Sequence, residues 1–307
     1  MRAAILHAAG AGPKAGTFDD PAPTDGHAVV DVTLAGVNPI DIRLASGQLG
    51  PPRTPSVVGL EGVGTLDGGR RVYFSPCVSP YGSWAERTLI EPERAFPVPD
   101  GLGDELAVAM GIAGIAAWLP LEHHAKVRPG ESVLVLGATG TVGRIAVQVA
   151  KLLGAGRVVA AARDADTLRE VERLGADATV VLGRGNEAQA LKEAASAGFD
   201  VVIDPLYGEP FEAALQATAT SARLVTIGES AGPAASIPFR ALQGRTHIGH
   251  GSGVLPKELV RDAYAKLTGH AAAGRIRVEI ERFALEEAVQ AWHAQAASPH
   301  CKLVVVP

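Results

Sequence analysis

Between Ser132 and about Gly249 the sequence alternates short, wholly apolar runs with amphipathic segments of helical spacing. The apolar runs are SVLVLG, RVVAAA, ATVVLG, FDVVIDPL and ARLVTIG, and the segments between them include VGRIAVQVAKLLGA and DTLREVERLGA. Strands that are apolar throughout are covered on both faces, which requires parallel strands joined by right-handed helical crossovers. The alternation therefore predicts an α/β domain with a doubly wound parallel sheet.

The segments on either side of this domain follow other patterns. From Met1 to about Arg94, apolar runs such as HAVVDVTLAG and RVYFSP are separated by Pro and Gly clusters, which indicates a β-rich domain. Residues 103–127 are typical of buried helix, and the tail predicts two helices and a closing strand, CKLVVVP, that pack back on the first domain. We expect three stretches: 1–117 (first domain), 118–250 (α/β domain) and 251–307 (return to the first domain).

Composition restricts the class of protein. The chain has 307 residues, 47% of them hydrophobic and 20% charged, which suits a two-domain globular enzyme. A formal net charge of -5 predicts no nucleic-acid partner and no association with an anionic membrane. Two widely separated cysteines predict no disulfide framework, and no window reaches the ~18 apolar residues of a membrane helix. We expect a cytoplasmic protein.

A glycine-rich turn follows the run SVLVLG. It reads Ala138-Thr139-Gly140-Thr141-Val142-Gly143, a variant of the GxGxxG pattern. Gly140 would let the backbone approach a pyrophosphate, and Gly143 would let the following helix pack closely on the strand. The N-terminus of that helix attracts an anion. The turn predicts a dinucleotide site, with a tight turn that holds no ligand as the alternative.

The residue about 20 positions after the turn selects the dinucleotide, because an acidic side chain there binds a ribose diol and an arginine accepts a 2′-phosphate. That position is Arg163, which favours NADPH, although a shift of one residue would place Asp164 there. Arg184, after the next strand, is a second candidate phosphate ligand. Gly228 and His250, near the ends of later strands, complete the predicted coenzyme-binding set.

Several motifs together resemble one known family. They are GVNPIDIRLASG (36–47), VVGLEGVG (57–64), YGSWAERTLI (81–90), VRPGESVLVLGATGTVGRIAVQVAKLLGA (127–155), FDVVIDPLYG (199–208) and CKLVVVP (301–307). In this order they resemble the zinc-independent quinone oxidoreductase branch of the medium-chain dehydrogenase/reductase superfamily. The resemblance implies a GroES-like catalytic domain and a Rossmann domain with the active site in the cleft between them, and a homodimer.

The resemblance also implies that no metal is bound. Where zinc alcohol dehydrogenases carry ligands, this chain has Leu60 in GLE, Asn38 and Pro39 in GVNPID, and Ile112 in GIAGIAAW. Apolar side chains offer none of the N, S or O atoms that zinc requires. His123 and His124 are adjacent, and adjacent helical residues point in different directions, so we expect a surface or capping role for them.

Without a metal, hydride transfer is easiest to a conjugated acceptor, in which the negative charge spreads onto oxygen. Asn38, which matches the family's GVNP asparagine, is the predicted catalytic donor to that oxygen, with turn formation as its alternative role. Asp41 is included as an orienting or helix-capping residue. Tyr81 and His250 are further possible donors, although a structural role is the simpler interpretation for each.

The chain also departs from the family pattern. Arg43 and Leu49 stand where relatives carry tyrosines, and Ala116 replaces a threonine near the nicotinamide. The predicted function is an NADPH-dependent, metal-free reductase of quinones or other α,β-unsaturated carbonyls. The alternatives are an enoyl-thioester or alkenal reductase, a non-catalytic NADPH-binding protein and, against the missing ligands, a zinc alcohol dehydrogenase.

Overall fold

The computed structural model describes all 307 residues, which fold into two compact units. Unit 1 comprises Met1–Ala113, Pro256–Gly274 and Val278–Pro307, and unit 2 comprises Gly114–Leu255 and Arg275–Arg277. The first change of unit, after Ala113, lies four residues before the predicted boundary at 117, and the second, after Leu255, lies five residues beyond the predicted boundary at 250. The short stretch Arg275–Arg277 joins unit 2 because both backbone polar groups of Arg277 bond to the buried side-chain amide of Gln148, at 2.8 and 2.9 Å.

The strands, in chain order, are β1 (Arg2–Leu6), β2 (Lys14–Thr17), β3 (Ala28–Gly36), β4 (Ser56–Val57), β5 (Gly62–Leu66), β6 (Arg70–Phe74), β7 (Arg87–Ile90), β8 (Ala95–Pro97), β9 (Ser132–Leu136), β10 (Arg157–Ala162), β11 (Ala178–Val181), β12 (Phe199–Asp204), β13 (Thr218–Thr226), β14 (Thr246–Gly249), β15 (Ile280–Ala284) and β16 (Lys302–Val306). The α-helices are α1 (Pro39–Ala45), α2 (Asp104–Ala109), α3 (Ile112–Leu119), α4 (Thr141–Leu152), α5 (Ala165–Arg173), α6 (Glu187–Ala195), α7 (Gly208–Leu215), α8 (Lys257–Ala272) and α9 (Ala288–Ala296). A π-helical turn, Pro120–His124, follows α3. None of the helices is long and apolar enough to cross a membrane.

Unit 2 is built on a six-stranded sheet in the order β11-β10-β9-β12-β13-β14, and every neighbouring pair is parallel. Counted from β9, the order is 3-2-1-4-5-6, which is the Rossmann arrangement. The predicted doubly wound sheet is confirmed. In such a sheet ligands bind outside the carboxyl ends of the strands, where the strand order reverses beside the first strand.

The sixth strand was not predicted. Five strands of the sheet coincide with apolar runs in the sequence, whereas β14 (THIG) is short and mostly exposed, so it carries no continuous apolar signal. The helix expected over FEAALQATAT is also shorter than expected. It ends at Leu215, and the β-branched residues that follow already belong to β13.

Unit 1 holds a seven-stranded sheet, β15-β16-β3-β5-β6-β8 with β7 also on β3, and a three-stranded sheet, β2-β1-β4. Strand β16 pairs antiparallel with β3, so the end of the chain completes a sheet that the first hundred residues begin. The core beneath it includes Phe74, Trp84, Trp292 and Leu303, all buried. The Trp84 indole donates a hydrogen bond to the carbonyl of Gly36 at 3.0 Å, which satisfies its buried N–H.

The predicted helix over residues 103–127 is divided into α2, α3 and the π-helical turn. The first interruption lies at Gly111, where a Cβ atom would come within 2.2 Å of the Tyr73 ring and 2.4 Å of Glu61 Oε2. Only glycine fits this position. The break leaves the backbone N–H of Ile112, at the start of α3, to donate to Glu61 Oε2 at 2.7 Å.

Candidate functional site

The glycine turn connects β9 to α4 at the carboxyl edge of the unit 2 sheet. Gly137 adopts a φ of +58°, a left-handed conformation that favours glycine. Ala138 is buried and its N–H donates to the carbonyl of Ala161 at 3.1 Å, which holds the turn against β10. Thr141 and Val142, both half-buried, open the helix. The first turn of a helix presents N–H groups that no residue of the same helix accepts.

Gly140 and Gly143 differ in the space around them. A Cβ on Gly143 would lie 2.4 Å from the carbonyl oxygen of Gly137 and 2.6 Å from the Cα of Ala138, so this glycine permits the close helix–strand packing. A Cβ on Gly140 would meet only the Gly137 oxygen, at an ordinary 3.6 Å. Gly140 caps α4 with a φ of -75°, which any residue adopts. The protein itself therefore has space for a side chain at Gly140.

Arg163 is the first residue beyond β10, and its side chain is exposed. The alternative residue, Asp164, is the N-cap of α5, where its Oδ1 accepts a hydrogen bond from the N–H of Thr167 at 2.7 Å. Arg184 follows the neighbouring parallel strand β11 and is also exposed, while its backbone N–H donates to Glu187. Both guanidinium groups therefore belong to adjacent strand ends on the same edge as the glycine turn.

Asp204, which is not among the residues expected from the sequence, ends β12 at this edge and is completely buried. Its Oδ1 accepts from the N–H groups of Leu206 and Tyr207 at 2.8 and 2.9 Å, and its Oδ2 accepts from the Thr226 hydroxyl at 3.1 Å. Burial raises the pKa of the Asp204 carboxyl above its ordinary value. The signal was present in the sequence, since an acid directly follows the apolar residues VVI.

Gly228 lies just beyond β13, where a Cβ atom would come within 2.9 Å of the carbonyl oxygen of Pro205. It packs against the loop that Asp204 holds, and that loop also lies beside the glycine turn, because a Cβ on Gly137 would lie 3.1 Å from Pro205 and Leu206. The loop after β12 thus connects Gly228 with the turn at the centre of the edge.

His250 directly follows β14 and donates its backbone N–H to Thr226. Its Nδ1 lies 3.1 Å from His124 Nε2, and its Nε2 lies 3.0 Å from the Ser252 hydroxyl. Burial, followed by the neighbouring histidines, lowers the pKa of His250 to about 4. The expectation that His123 and His124 point apart is wrong, since their rings pack edge-on with the ring centroids 5.0 Å apart. They lie in the π-helical turn, where the spacing of an α-helix does not apply.

In unit 1, Asn38 is 3% exposed and its carboxamide is held at both ends. Its Oδ1 accepts from Lys302 Nζ at 2.7 Å, and its Nδ2 donates to Glu61 Oε1 at 2.8 Å. Because Lys302 only donates and the Glu61 carboxylate only accepts, these partners determine which end of the amide is nitrogen. One of the two N–H groups of Nδ2 is used, and the other has no partner in the structure.

Glu61 and Lys302 form a buried ion pair with an Nζ–Oε1 distance of 2.8 Å. Lys302 also donates to the carbonyl of Val37 at 3.1 Å, and Glu61 Oε2 accepts from the Tyr73 hydroxyl at 2.8 Å and from the backbone N–H of Ile112. Every polar group of the pair is therefore satisfied, as buried charges require. Glu61, Lys302 and Tyr73 are not among the residues expected from the sequence. The signal was a lysine and a glutamate within otherwise apolar runs.

Asp41 is buried within the first turn of α1, and its Oδ2 accepts from the backbone N–H of Asn38 at 2.8 Å. This bond fixes the backbone of Asn38 at the helix N-cap. Burial raises the pKa of Asp41 to about 7. Tyr81, the other candidate donor in unit 1, packs edge-on against Phe18 with ring centroids 6.0 Å apart.

The side chains at the candidate metal positions do not fit a zinc ion. Leu60 and Ile112 end in hydrocarbon, and both oxygens of Glu61 already accept hydrogen bonds from Asn38, Lys302, Tyr73 and Ile112. Across residues 1–307, no group of three or more His, Cys, Asp or Glu side chains is arranged to hold a metal ion.

Removal of the Lys302 ammonium tests how strongly unit 1 depends on the ion pair. Lys302→Met leaves the Glu61 charge buried without its counter-ion, and we expect a loss of about 3–5 kcal/mol in the free energy of unfolding. Urea denaturation measures this loss, and the double variant Lys302→Met/Glu61→Gln recovers part of it. Lys257→Met, which removes the lysine of the partly exposed pairs with Glu91 and Glu93, serves as the control with a loss below about 1 kcal/mol. Equal losses for the two lysine variants would contradict the assignment.

Comparison with known proteins agrees with this architecture. A family model described as zinc-binding dehydrogenase matches residues 141–267. The chain is 31% identical to bovine quinone oxidoreductase-like protein 2 over 235 residues, covering 72% of this chain and 66% of that protein. It is 30% identical to bovine prostaglandin reductase-3 over 257 residues, covering 78% of this chain and 63% of that protein. The chain thus spans slightly less than two thirds of the length of these two relatives.

A bacterial relative and a solved structure match over more of their length. A Pseudomonas aeruginosa quinone oxidoreductase is 29% identical over 280 residues, which cover 86% of this chain and 85% of that protein. The structure of Escherichia coli quinone oxidoreductase complexed with NADPH superimposes with a TM-score of 0.91 at 22% identity and covers both chains completely. Units 1 and 2 have the GroES-like and Rossmann folds of these proteins. The chain belongs to the quinone oxidoreductase branch of the medium-chain dehydrogenase/reductase superfamily.

Proposed function

We propose that this protein is an NADPH-dependent, metal-free reductase of quinones or other α,β-unsaturated carbonyls that acts by direct hydride transfer. The observation that carries the proposal is the exposed Arg163 guanidinium at the end of β10, beside the glycine turn of a Rossmann sheet. An arginine at this position favours a 2′-phosphate over a free ribose diol. The capping role of Asp164 supports Arg163 over the neighbouring carboxylate.

The residues of unit 2 fit a dinucleotide phosphate. The turn Ala138–Gly143 and the N-terminus of α4 would hold the pyrophosphate, because Gly140 leaves space in front of the first-turn N–H groups. Arg163 would hold the 2′-phosphate, with Arg184 on the adjacent strand end as its second ligand. Gly228 and His250 lie at the ends of β13 and β14 and complete the predicted set. When bound, NADPH supplies the hydride.

Asn38 is the proposed donor to the substrate oxygen. Lys302 and Glu61 hold its carboxamide in one orientation, and its second N–H has no partner in the structure. A donor that is already oriented stabilises developing negative charge without reorganisation. Asp41 has a positioning role, since it holds the backbone N–H of Asn38. The apolar side chains of Leu60 and Ile112 support the proposal that the reaction uses no zinc.

The proposal extends to partners and location. Strand β14 forms one edge of the unit 2 sheet, and Thr246, His247 and Gly249 in it are exposed. An open sheet edge pairs readily with a second copy, which supports a homodimer. Neither Cys77 nor Cys301 is in a disulfide, which supports a cytoplasmic location. The net charge of -5 supports a small-molecule substrate over nucleic acid or a membrane.

A second candidate is reduction of the carbon–carbon double bond of an enoyl thioester or an alkenal. The similarity to a protein named prostaglandin reductase-3 favours it. Reduction of a quinone to a hydroquinone would identify the first candidate, whereas saturation of a carbon–carbon double bond without any quinone turnover would identify the second.

Oxidation of NADPH by the purified, metal-free protein tests the proposal. The acceptors are ortho- and para-quinones and simple enones, with NADH in parallel and product analysis by mass spectrometry. We expect NADPH-selective turnover with at least one of these acceptor classes. Tight NADPH binding without turnover on any acceptor would instead indicate a non-catalytic NADPH-binding protein.

The glycine turn yields a matched pair of variants. Gly140→Val should weaken NADPH binding by at least about tenfold with little change in thermal stability, because the side chain occupies only the space that the pyrophosphate needs. Gly143→Ala should lower the free energy of unfolding by about 1–3 kcal/mol, because its Cβ meets the backbone of the turn. Calorimetric titration and thermal denaturation separate the two effects. An unchanged NADPH affinity in Gly140→Val would place the pyrophosphate elsewhere.

Arg163→Ala tests the choice of coenzyme. Loss of a charge-assisted contact to the 2′-phosphate should weaken NADPH binding about tenfold to a hundredfold and leave NADH binding nearly unchanged. Titration of each coenzyme against the variant measures this. Arg169→Ala, on the exposed face of α5, is the control for a general loss of positive charge. Equal losses for NADPH and NADH in Arg163→Ala would show that the 2′-phosphate lies elsewhere.

Asn38→Ala should lower kcat about a hundredfold to a thousandfold, as loss of an oxyanion donor does elsewhere, with NADPH affinity retained. Tyr73→Phe is the matched control, because it removes a different hydrogen bond to Glu61 and leaves the Asn38 amide in place. The control should lose stability but keep its turnover. A fully active Asn38→Ala variant would exclude Asn38 from the mechanism.

A further inference from the structure

Arg144, which follows the last glycine of the turn, is a charged residue in a buried position. Its side chain is 8% exposed, although it lies in the first turn of α4 between apolar neighbours. Arginine is almost never buried without partners. We therefore expect partners close to the guanidinium. Arg144 is not one of the predicted coenzyme-binding residues, so these partners are not explained by that set.

The guanidinium of Arg144 binds two different parts of unit 2. Its Nε donates to the carbonyl oxygen of Thr139 at 3.1 Å in a buried hydrogen bond, and its Nη2 pairs with Glu170 Oε2 at 2.5 Å. Thr139 lies inside the glycine turn, directly before Gly140. Glu170 lies on α5, the helix whose N-cap residue directly follows Arg163.

We propose that Arg144 is a positioning residue that sets the spacing between the glycine turn and Arg163, and thereby the discrimination of NADPH from NADH. The proposal rests on the proposed function. One phosphate site lies on the turn and the other at the start of α5, and the Thr139–Arg144–Glu170 contacts join the two. A ligand that uses both sites depends on their separation, whereas NADH uses the turn alone.

A second property of the turn follows from the same bond. The Thr139 carbonyl is held on the inner side of the turn, against the buried guanidinium. A carbonyl oxygen that faced the phosphate would repel it. Arg144 thus keeps the negative end of this peptide dipole away from the anion, while Glu170 balances the charge of the guanidinium.

This charge balance separates a positioning role from a simple electrostatic one. If Arg144 acted mainly through its charge, removal of its counter-ion in Glu170→Gln would strengthen the binding of an anionic coenzyme. If it acts through position, Glu170→Gln releases α5 from the turn and weakens NADPH binding. The two interpretations predict opposite signs for the same variant.

The experiment measures dissociation constants of NADPH and NADH by calorimetric titration of the full chain, at a temperature where each variant is folded. Arg144→Met keeps the packed stem and removes both hydrogen bonds. Arg144→Lys keeps the charge but has no forked donor to hold Thr139 and Glu170 together. We expect the ratio of the NADH to the NADPH dissociation constant to fall about tenfold in Arg144→Met, Arg144→Lys and Glu170→Gln. Arg169→Gln, on the same helix, should leave the ratio unchanged.

Hydrogen exchange of the ligand-free protein provides a readout that does not depend on coenzyme. The amides of α5 around Glu170 should exchange faster in Arg144→Met and Glu170→Gln than in the wild type, because the bond from Arg144 to this helix is lost. A wild-type protein with no preference for NADPH would overturn the proposed function and this inference with it. A wild type that prefers NADPH, with an unchanged ratio in Arg144→Met or tighter NADPH binding in Glu170→Gln, would overturn this inference alone.

Discussion

The buried ion pair between Glu61 and Lys302 is the interaction on which unit 1 depends. Glu61 precedes β5, near the start of the chain, and Lys302 begins the last strand, so the pair joins segments far apart in sequence. Two charges in a dry interior are tolerated only when all of their hydrogen-bonding groups are satisfied. Here Asn38, Tyr73 and the N-terminus of α3 supply the remaining partners.

The same pair has a consequence for chemistry. An asparagine in a loop would rotate freely, but a carboxamide held between an ammonium group and a carboxylate has a single orientation. Gly36 and Gly111 pack so closely against Glu61 that a Cβ atom on either residue would lie 2.4 Å from one of its oxygens. The two glycines therefore leave the space that Glu61 needs in order to hold the Asn38 carboxamide.

In unit 2 the candidate site residues are brought to one edge by the topology of the sheet. A parallel sheet places the carboxyl ends of all its strands on one edge, so residues from six separate segments meet there. The glycine turn, Arg163, Arg184, Asp204 and Gly228 each follow or end a strand of that sheet. Buried hydrogen bonds then hold the segments at this edge in place. Arg144 holds the turn through the carbonyl of Thr139, and Asp204 holds the loop after β12 through the N–H of Leu206.

The sequence by itself determined the type of each domain and the position of the glycine turn, because apolar runs, helical periodicity and glycine spacing are local signals. It also identified Arg163 and Asp164 as the two candidates after β10, but only the structure showed that Asp164 caps α5 through its bond to Thr167. The break at Gly111, the exposed strand β14 and the contact between His123 and His124 were missed, since each depends on neighbours distant in sequence or on a helix that departs from α geometry. The partners of Asn38 were beyond sequence reasoning for the same reason: a lone glutamate and a lone lysine become an ion pair only when folding brings β5 and β16 together.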